Sequence, residues 1–354
     1  MVACKSEAGL DATDEAAQAA WIFRATLLFR SFTIDHLTQT HWLMANALVY
    51  SAKTTLSADH CLRRLLKPFT FGACTINHAA ITTLTGSGGA VERNSSYYAS
   101  EMAHAIMESA KNLDFSDFEA FLAAKQLSTD ELTELPLAAD GRRLWELIRA
   151  FFHRFLLAHY PKDAKEAQGL DAANEALAED QQVANFWALA ISGSMLPGGL
   201  EKQSSTALSV ESLSAYLTRA VFFSTAVHEL LGNTIHYVTE PACMQPRVHR
   251  FDTMPAGMPP QGSVQDYIRS ITIAGTTQMK MPQLIGTMRQ MAKVWRDAHV
   301  WGPHERSALA LDEFANQLEE LSVTIDADNE RRVTKGGSAF HLFNPRYLEC
   351  SVSL

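Results

Sequence analysis

The sequence lacks a basic stripe, a long uncharged apolar run and any paired-cysteine motif, and each absence argues against a class of protein. The 354 residues carry a formal net charge of −9, which argues against electrostatic binding of nucleic acid. No run of about 18 uncharged apolar residues occurs, so a membrane-spanning helix is not expected. The five cysteines form no CxxC pair, and their odd number does not suggest a disulfide framework. Because the acidic N-terminus lacks the apolar segment of a secretory signal, we expect a cytoplasmic protein with reduced thiols.

Helical periodicity dominates the chain, and no convincing alternating strand pattern is found. No internal repeat or low-complexity linker divides residues 1–354, which predicts a single all-α domain. Two segments are long and apolar enough to be central helices, residues 16–57 and residues 210–238. A further amphipathic helix is predicted over residues 140–160, with Asp140 as the residue that caps its start.

Two histidines in the first long helix have an unusual spacing. His36 and His41 lie five residues apart in the stretch DHLTQTHWLMANAL. Five residues of a regular α-helix turn about 140° past the starting face, so the two imidazoles would point apart. A π-type bulge would return them to one face, and such bulges concentrate at functional sites. For an isolated pair, one core histidine and one surface histidine are the commoner explanation, so a shared metal requires this helix to bulge.

The second long helix and the chain terminus carry further candidate ligands. His228 lies among apolar residues, where an unpaired imidazole would be costly. Gly232 stands where a zincin HExxH motif would have its second histidine, so a zincin site is excluded. The chain ends in the uncharged sequence SVSL, and if this segment packs inward, the α-carboxylate of Leu354 becomes a buried anion that a cation would neutralise. Imidazoles with a single carboxylate suit non-haem iron better than structural zinc.

In this order along the chain, these segments resemble landmarks of the lipoxygenase catalytic domain. The H-x4-H pair is the first landmark, and LSADHCLRRLLKPF follows it, with His60 at a family histidine that is not a metal ligand. AADGRRLW (residues 138–145), HELLGN (residues 228–233) and the terminal SVSL are the later landmarks. The resemblance implies an all-α, lipoxygenase-like helical bundle around two long central metal-binding helices. It also implies that the N-terminal β-sandwich and part of the catalytic segment of typical members are missing here.

The same resemblance implies a set of metal ligands. They are His36, His41, His228 and the terminal carboxylate of Leu354, with iron as the metal and manganese as the alternative. The position that matches the family's asparagine is Gly232, and an asparagine follows one residue later. Either a second local π-bulge brings Asn233 to the metal, or water fills that position.

The reaction that the resemblance implies is the insertion of dioxygen into a cis,cis-1,4-diene, as found in polyunsaturated fatty acids, to give a hydroperoxide. The partners would then be a lipid substrate and dioxygen, and transient contact with a membrane surface would be compatible with such a substrate. Two alternatives stay open. The same iron scaffold could rearrange or cleave a lipid hydroperoxide, or oxidise a substrate that is not a fatty acid. The chain could also be a catalytically inactive, lipid-binding family member.

Overall fold

The computed structural model describes residues 27, 30–94, 98–111, 117–124, 130, 135–160, 169–192, 207–232, 286–297 and 305–352, and most of these residues are helical. Within these ranges the β-structure is limited to one isolated bridge between Thr287 and Glu349. The predicted all-α fold class is therefore confirmed. None of the helices in these ranges is sufficiently long and apolar to span a membrane.

Sixteen helical segments make up the described part of the chain, three of which are π-helical. The π-helical segments are Arg30–Ala45, Ala80–Thr85 and Phe223–Val227. The others are Asn46–Thr55, Cys61–Thr70, Ala73–Ala79, Ala90–Asn94, Ala99–Lys111, Phe118–Ala123, Pro136–His159, Leu170–Glu179, Gln181–Ser192, Val210–Phe222, His228–Gly232, Met288–Asp297 and Glu305–Thr334.

Two continuous helices correspond to the two long apolar segments of the sequence. The first histidine helix is π-helical over Arg30–Ala45 and α-helical over Asn46–Thr55. The second histidine helix runs from Val210 to Gly232, with the π segment Phe223–Val227 between two α segments. Every residue from 216 to 229 is buried, so this part of the helix is enclosed on all sides, as its apolar sequence predicts.

The second histidine helix begins at a capping box. The side chain of Ser209 accepts a hydrogen bond from the backbone N–H of Ser212, and the Ser212 hydroxyl accepts one from the backbone N–H of Ser209. This reciprocal pair satisfies backbone donors that the first turn of a helix leaves unpaired. The capping box at Ser209 thereby fixes Val210 as the first residue of the helix.

Asp140 does not cap its helix, contrary to the sequence-based prediction. The helix begins four residues earlier, at Pro136. Proline is well tolerated in the first turn of a helix, because the N–H that it lacks has no partner within the helix there. The Asp140 carboxylate is fully buried inside the helix, with Oδ2 3.1 Å from Nη2 of Arg332 and Oδ1 3.3 Å from Nη1 of Arg143. Burial raises the pKa of Asp140, while the two guanidinium groups oppose that effect. The residue therefore links two long helices, Pro136–His159 and Glu305–Thr334.

An aromatic cluster fills the space between these helices and the second histidine helix. Phe118 lies at its centre, and its ring centroid is 5.0 to 6.4 Å from those of four neighbours, namely Phe121, Trp145, Phe222 and Phe343. Such rings bury large apolar areas and dominate the energetics of a core. Gly141 lies directly against this cluster, because a Cβ at that position would overlap the ring of Phe118.

We predict that Gly141→Ala lowers the free energy of unfolding by about 1–3 kcal/mol, because the added methyl forces a buried ring out of its place. Urea denaturation would measure the loss. Phe118→Leu shortens the side chain that meets the methyl, so the double variant should be more stable than the sum of the two single losses allows. Strictly additive losses would contradict this account of Gly141.

Candidate metal centre

The structure brings together the three histidines that the sequence singles out. The predicted bulge at His36 and His41 is confirmed, since both lie within the π-helical segment Arg30–Ala45. Nε2 of His41 is 3.3 Å from Nε2 of His36 and 3.2 Å from Nε2 of His228. All three side chains are buried, with exposed fractions of 7%, 3% and 1% for His36, His41 and His228. We call this group the histidine triad.

The geometry of the histidine triad fits a shared metal ion. Two nitrogen ligands at about 2.1 Å in neighbouring positions around one metal lie about 3 Å apart. The Nε2 atoms of His36 and His228 lie at nearly this distance from Nε2 of His41. Potential ligand atoms of the three residues all lie within 4.8 Å of one another. A bound cation would accept the lone pairs of all three rings at once, whereas direct hydrogen bonds between the rings need a proton at each contact. Imidazole ligands suit iron, zinc, copper and nickel, so the ring geometry alone does not select the metal.

Burial keeps the histidine triad uncharged in the metal-free protein. It lowers the pKa of His41 to about 4, although the hydrogen bond to Asn77 opposes the shift. It lowers the pKa of His36 and of His228 well below the ordinary value, and charge on neighbouring rings adds to the effect. At neutral pH all three rings are therefore neutral, and no proton has to leave before a metal binds.

Asn77 orients His41, and sequence reasoning missed it. Its Oδ1 lies 2.7 Å from Nδ1 of His41, so the Nδ1–H donates to the amide and Nε2 keeps its lone pair for a metal. The Nδ2 group of Asn77 donates to the carbonyl of His41 at 2.9 Å and to Oδ1 of Asn46 at 2.6 Å, which fixes the amide orientation. Asn77 lies 36 residues from His41, so no local spacing connects them. The structure shows Asn77 as a buried amide on the short helix Ala73–Ala79, and burial cannot be read from the neighbouring sequence.

His36 is oriented by its own helix. Its Nδ1 lies 3.1 Å from the carbonyl oxygen of Phe32, one turn earlier, so Nδ1–H donates there and Nε2 faces His41. The imidazole also packs against the Phe32 ring, with centroids 5.7 Å apart. His36 and His41 thus each use Nδ1 for a hydrogen bond and present Nε2 to the same space, as metal-binding histidines do.

The π segment of the second histidine helix precedes His228. Phe223–Val227 is π-helical, whereas His228–Gly232 is α-helical. Gly232, one α-turn after His228, faces the histidine triad, because a Cβ built on it would lie 2.5 Å from Nε2 of His36. The second π-bulge, which is one of the two alternatives left open by the sequence, is not found within His228–Gly232. Asn233 itself lies outside the described residues, so the choice between Asn233 and water is not decided by its placement.

The end of the chain packs against the first histidine helix. Val352 is fully buried and packs with Ala45 and Val49, just beyond His41 in the sequence. The hydroxyl of Ser351 donates to the carbonyl of Phe71 at 2.7 Å. The inward packing of the tail that a terminal-carboxylate ligand requires is therefore observed as far as Val352. Leu354, whose carboxylate we predict to be a ligand, lies outside the described residues.

His60 is separate from the histidine triad and has a structural role. Its Nδ1 accepts a hydrogen bond from the backbone N–H of Leu62 at the start of the helix Cys61–Thr70. Its Nε2 lies 3.3 Å from Oδ2 of Asp180. The residue thus caps one helix and ties it to the segment at Asp180.

Sequence comparisons point to one family. The family model described as Lipoxygenase matches residues 25–194, a span that includes His36 and His41 and ends before His228. The seed linoleate 9S-lipoxygenase of Glycine max is 24% identical over an alignment of 177 residues that covers 45% of this chain and 20% of the soybean protein. The chloroplastic lipoxygenase 2 of Arabidopsis thaliana is 25% identical over an alignment of 168 residues that covers 43% of this chain and 18% of that protein.

Solved lipoxygenase structures share the fold over most of this chain. The coral 8R-lipoxygenase aligns with a TM-score of 0.74 and 17% identity, covering 96% of this chain and 49% of the coral chain. A lipoxygenase crystallised in complex with arachidonate gives the same TM-score of 0.74, with 17% identity and the same two coverages. At 17% sequence identity, the structural similarity establishes the fold alone. The chain spans about half the length of these solved lipoxygenases.

We predict that Asn77→Ala weakens metal binding by about 10- to 100-fold, because His41 loses the partner that fixes its ring and tautomer. Titration of the metal-free chain with cobalt(II), followed by visible absorption, would measure the change. Asn77→Asp keeps an acceptor for the Nδ1–H of His41 and should retain more affinity than the alanine variant. Asn185→Ala, at an exposed amide, serves as the control. Equal cobalt affinity in the wild type and Asn77→Ala would contradict the role of Asn77.

Proposed function

Because this chain carries a lipoxygenase-like domain, we propose that it is a non-haem iron dioxygenase that inserts dioxygen into a cis,cis-1,4-diene of a lipid. The observation that carries the proposal is the convergence of three buried, neutral imidazoles with nitrogens spaced for one metal. The relatives named linoleate 9S-lipoxygenases, and the structure solved with arachidonate, support a polyunsaturated fatty acid as the substrate class. The product would be a lipid hydroperoxide.

We propose that His36, His41, His228 and the α-carboxylate of Leu354 hold the metal, and that Asn233 or water fills a further position. The described tail supports the part assigned to Leu354, because Val352 is buried against the first histidine helix only two residues before the terminus. A carboxylate brought into this apolar region would need a cation as its partner. When bound, iron would supply the one-electron chemistry that activates the substrate for reaction with dioxygen.

The contribution of the protein is to hold the ligands and keep water away. Asn77 and the carbonyl of Phe32 fix the two imidazoles of the first histidine helix. The enclosed second histidine helix removes its side chains from solvent, which strengthens electrostatic interactions at the centre. Leu43, Phe223 and Leu231 lie on the two histidine helices but belong to the main hydrophobic core. We therefore assign them to packing rather than to a substrate channel.

We predict that the purified chain contains iron, or manganese as the alternative metal, and oxidises linoleic or arachidonic acid. Conjugated-diene absorbance and oxygen uptake would measure the reaction, and elemental analysis the metal. His228→Ala should lose both metal and oxygen uptake because it removes one of three nitrogen ligands. His104→Ala, at an exposed histidine of the helix Ala99–Lys111, should retain both.

Other outcomes of this experiment would identify the alternatives. A metal-loaded chain that takes up no oxygen with either acid but consumes a fatty-acid hydroperoxide would favour rearrangement or cleavage chemistry. A folded chain that binds no metal, even when metal is added, would contradict both enzymatic functions and leave lipid binding as the remaining function.

We also predict that a polar extension after Leu354 abolishes metal binding, because it converts the terminal carboxylate into a peptide amide. The helix content should stay largely unchanged, since the core up to Val352 does not need the free carboxylate. Metal per chain and circular dichroism would measure the two effects. The same extension placed before Met1 is the control, and full metal content in both tagged proteins would contradict the role of Leu354.

A further inference from the structure

We infer that a basic cavity between the ends of two long helices binds a phosphate monoester, either as a free small molecule or as the headgroup of a lipid. The cavity lies where the helix Pro136–His159 begins and the helix Glu305–Thr334 ends, and its volume is about 250 Å³. Neither helix carries a residue of the histidine triad. The inference therefore does not depend on the proposed metal centre.

Arginine outnumbers carboxylate at this cavity. Asp328 lines it and accepts hydrogen bonds from two guanidinium groups, those of Arg143 and Arg331. The buried Asp140 also meets two, since its carboxylate lies 3.3 Å from Arg143 and 3.1 Å from Arg332. Two carboxylates thus share three arginines, and an arginine side chain stays charged at any physiological pH.

Lys335 lines the same cavity and adds a fourth cation. Its ammonium group has no ion-pair partner among the residues that the structure describes. Four cations beside two carboxylates leave an excess of at least two positive charges, although the chain as a whole has a net charge of −9. A phosphate monoester carries a charge of about −1.5 to −2 at neutral pH. It therefore matches this excess better than a carboxylate or a phosphodiester, which carries a single charge.

The cations are not needed to cap the helix on which they lie. Basic side chains near the C-terminus of a helix often serve its last carbonyl groups and its dipole. Here the backbone N–H groups of residues 335–337 donate to carbonyl groups of the last turn at 2.9 to 3.2 Å. Gly336, with a φ of +81°, provides the left-handed turn that makes this possible. The basic side chains therefore keep donors for a ligand.

The start of the other helix adds a second attraction for an anion. Leu135, Pro136 and Ala139 line the cavity, so the first turn of the 24-residue helix Pro136–His159 borders it. The side chain of Leu135 makes no capping hydrogen bond. The N-terminus of a helix carries a partial positive charge and is a common place for a bound phosphate. The cavity thus has cationic side chains on one wall and a positive helix end on the other.

Arg332 is held in place before any ligand arrives. Its Nη1 donates to Oδ1 of Asn329 at 2.8 Å, and its Nη2 lies 3.1 Å from Asp140. Its side chain is 21% exposed, and a guanidinium group has more N–H donors than these two contacts use. A cation that is already ordered loses little conformational freedom when it binds an anion.

Calorimetric titration of the full-length chain with sn-glycerol 3-phosphate tests the inference. Wild type should bind one molecule per chain, whereas glycerol, which lacks the phosphate, should not bind. The double variant Arg331→Ala/Lys335→Ala removes two exposed cations and leaves the contact between Arg332 and Asp140 in place. It should bind sn-glycerol 3-phosphate about tenfold more weakly or worse, because charge-assisted hydrogen bonds are lost. Circular dichroism would verify its helix content.

The matched control is Lys53→Ala/Lys67→Ala. It also removes two exposed cations from the last turns of helices, and it should bind as the wild type does. Equal weakening in the two double variants, or no binding by the wild type, would overturn the inference. Should the cavity variant fail to fold, Lys335→Ala alone decides, since this residue follows the end of its helix. It should weaken binding by about threefold, and unchanged affinity would overturn the inference.

Phosphatidylcholine vesicles with and without phosphatidic acid distinguish the two sources of the phosphate. Sedimentation of the wild type, but not of the cavity variant, with phosphatidic acid vesicles would identify a lipid headgroup as the ligand. Binding of sn-glycerol 3-phosphate without sedimentation would identify a soluble phosphate monoester. Sedimentation without binding of sn-glycerol 3-phosphate would overturn the inference, because the cavity then does not hold the phosphate group.

Discussion

The candidate metal centre depends on the π-helical backbone of residues 30–45, because only that geometry points His36 and His41 to one face. A regular α-helix would separate the two rings by about 140°. π-Helical segments are rare and frequently occur at functional sites. Here the segment is stabilised by its surroundings, since eleven of its sixteen residues are buried against the second histidine helix and other neighbouring helices.

Contacts distant in sequence make this local geometry useful for binding a metal. Asn77, on a separate helix, fixes the tautomer of His41, and the buried tail packs Val352 against the end of the π segment. The second histidine helix brings in His228 from 187 residues away. Each of these contacts joins a different part of the chain to the first histidine helix. The site is therefore an outcome of the whole helical bundle and not of one motif.

Features with a local sequence pattern were predictable, and features set by tertiary contacts were not. The five-residue histidine spacing predicts the π segment because helix geometry leaves no other way to bring both rings together. The position of Asp140 was misjudged, because a local rule favours aspartate as a cap, whereas the residue pairs with Arg332 across the fold. Asn77 was missed because its partner is distant in sequence. Asn233 and Leu354, the two proposed ligands outside the described residues, remain sequence-based predictions.

The two histidine helices use π geometry in different ways, and this difference decides which residue shares a helix face with His228. In the first helix the π segment contains both histidines, so a step of five residues keeps them on one face. In the second helix the π segment ends at Val227, and α geometry resumes at His228. A step of four residues is then the one that returns to the same face, and that step reaches a glycine. The five-residue step that brings His36 and His41 together is therefore not repeated within His228–Gly232, and His228 shares its helix face with a residue that has no side chain to offer as a ligand.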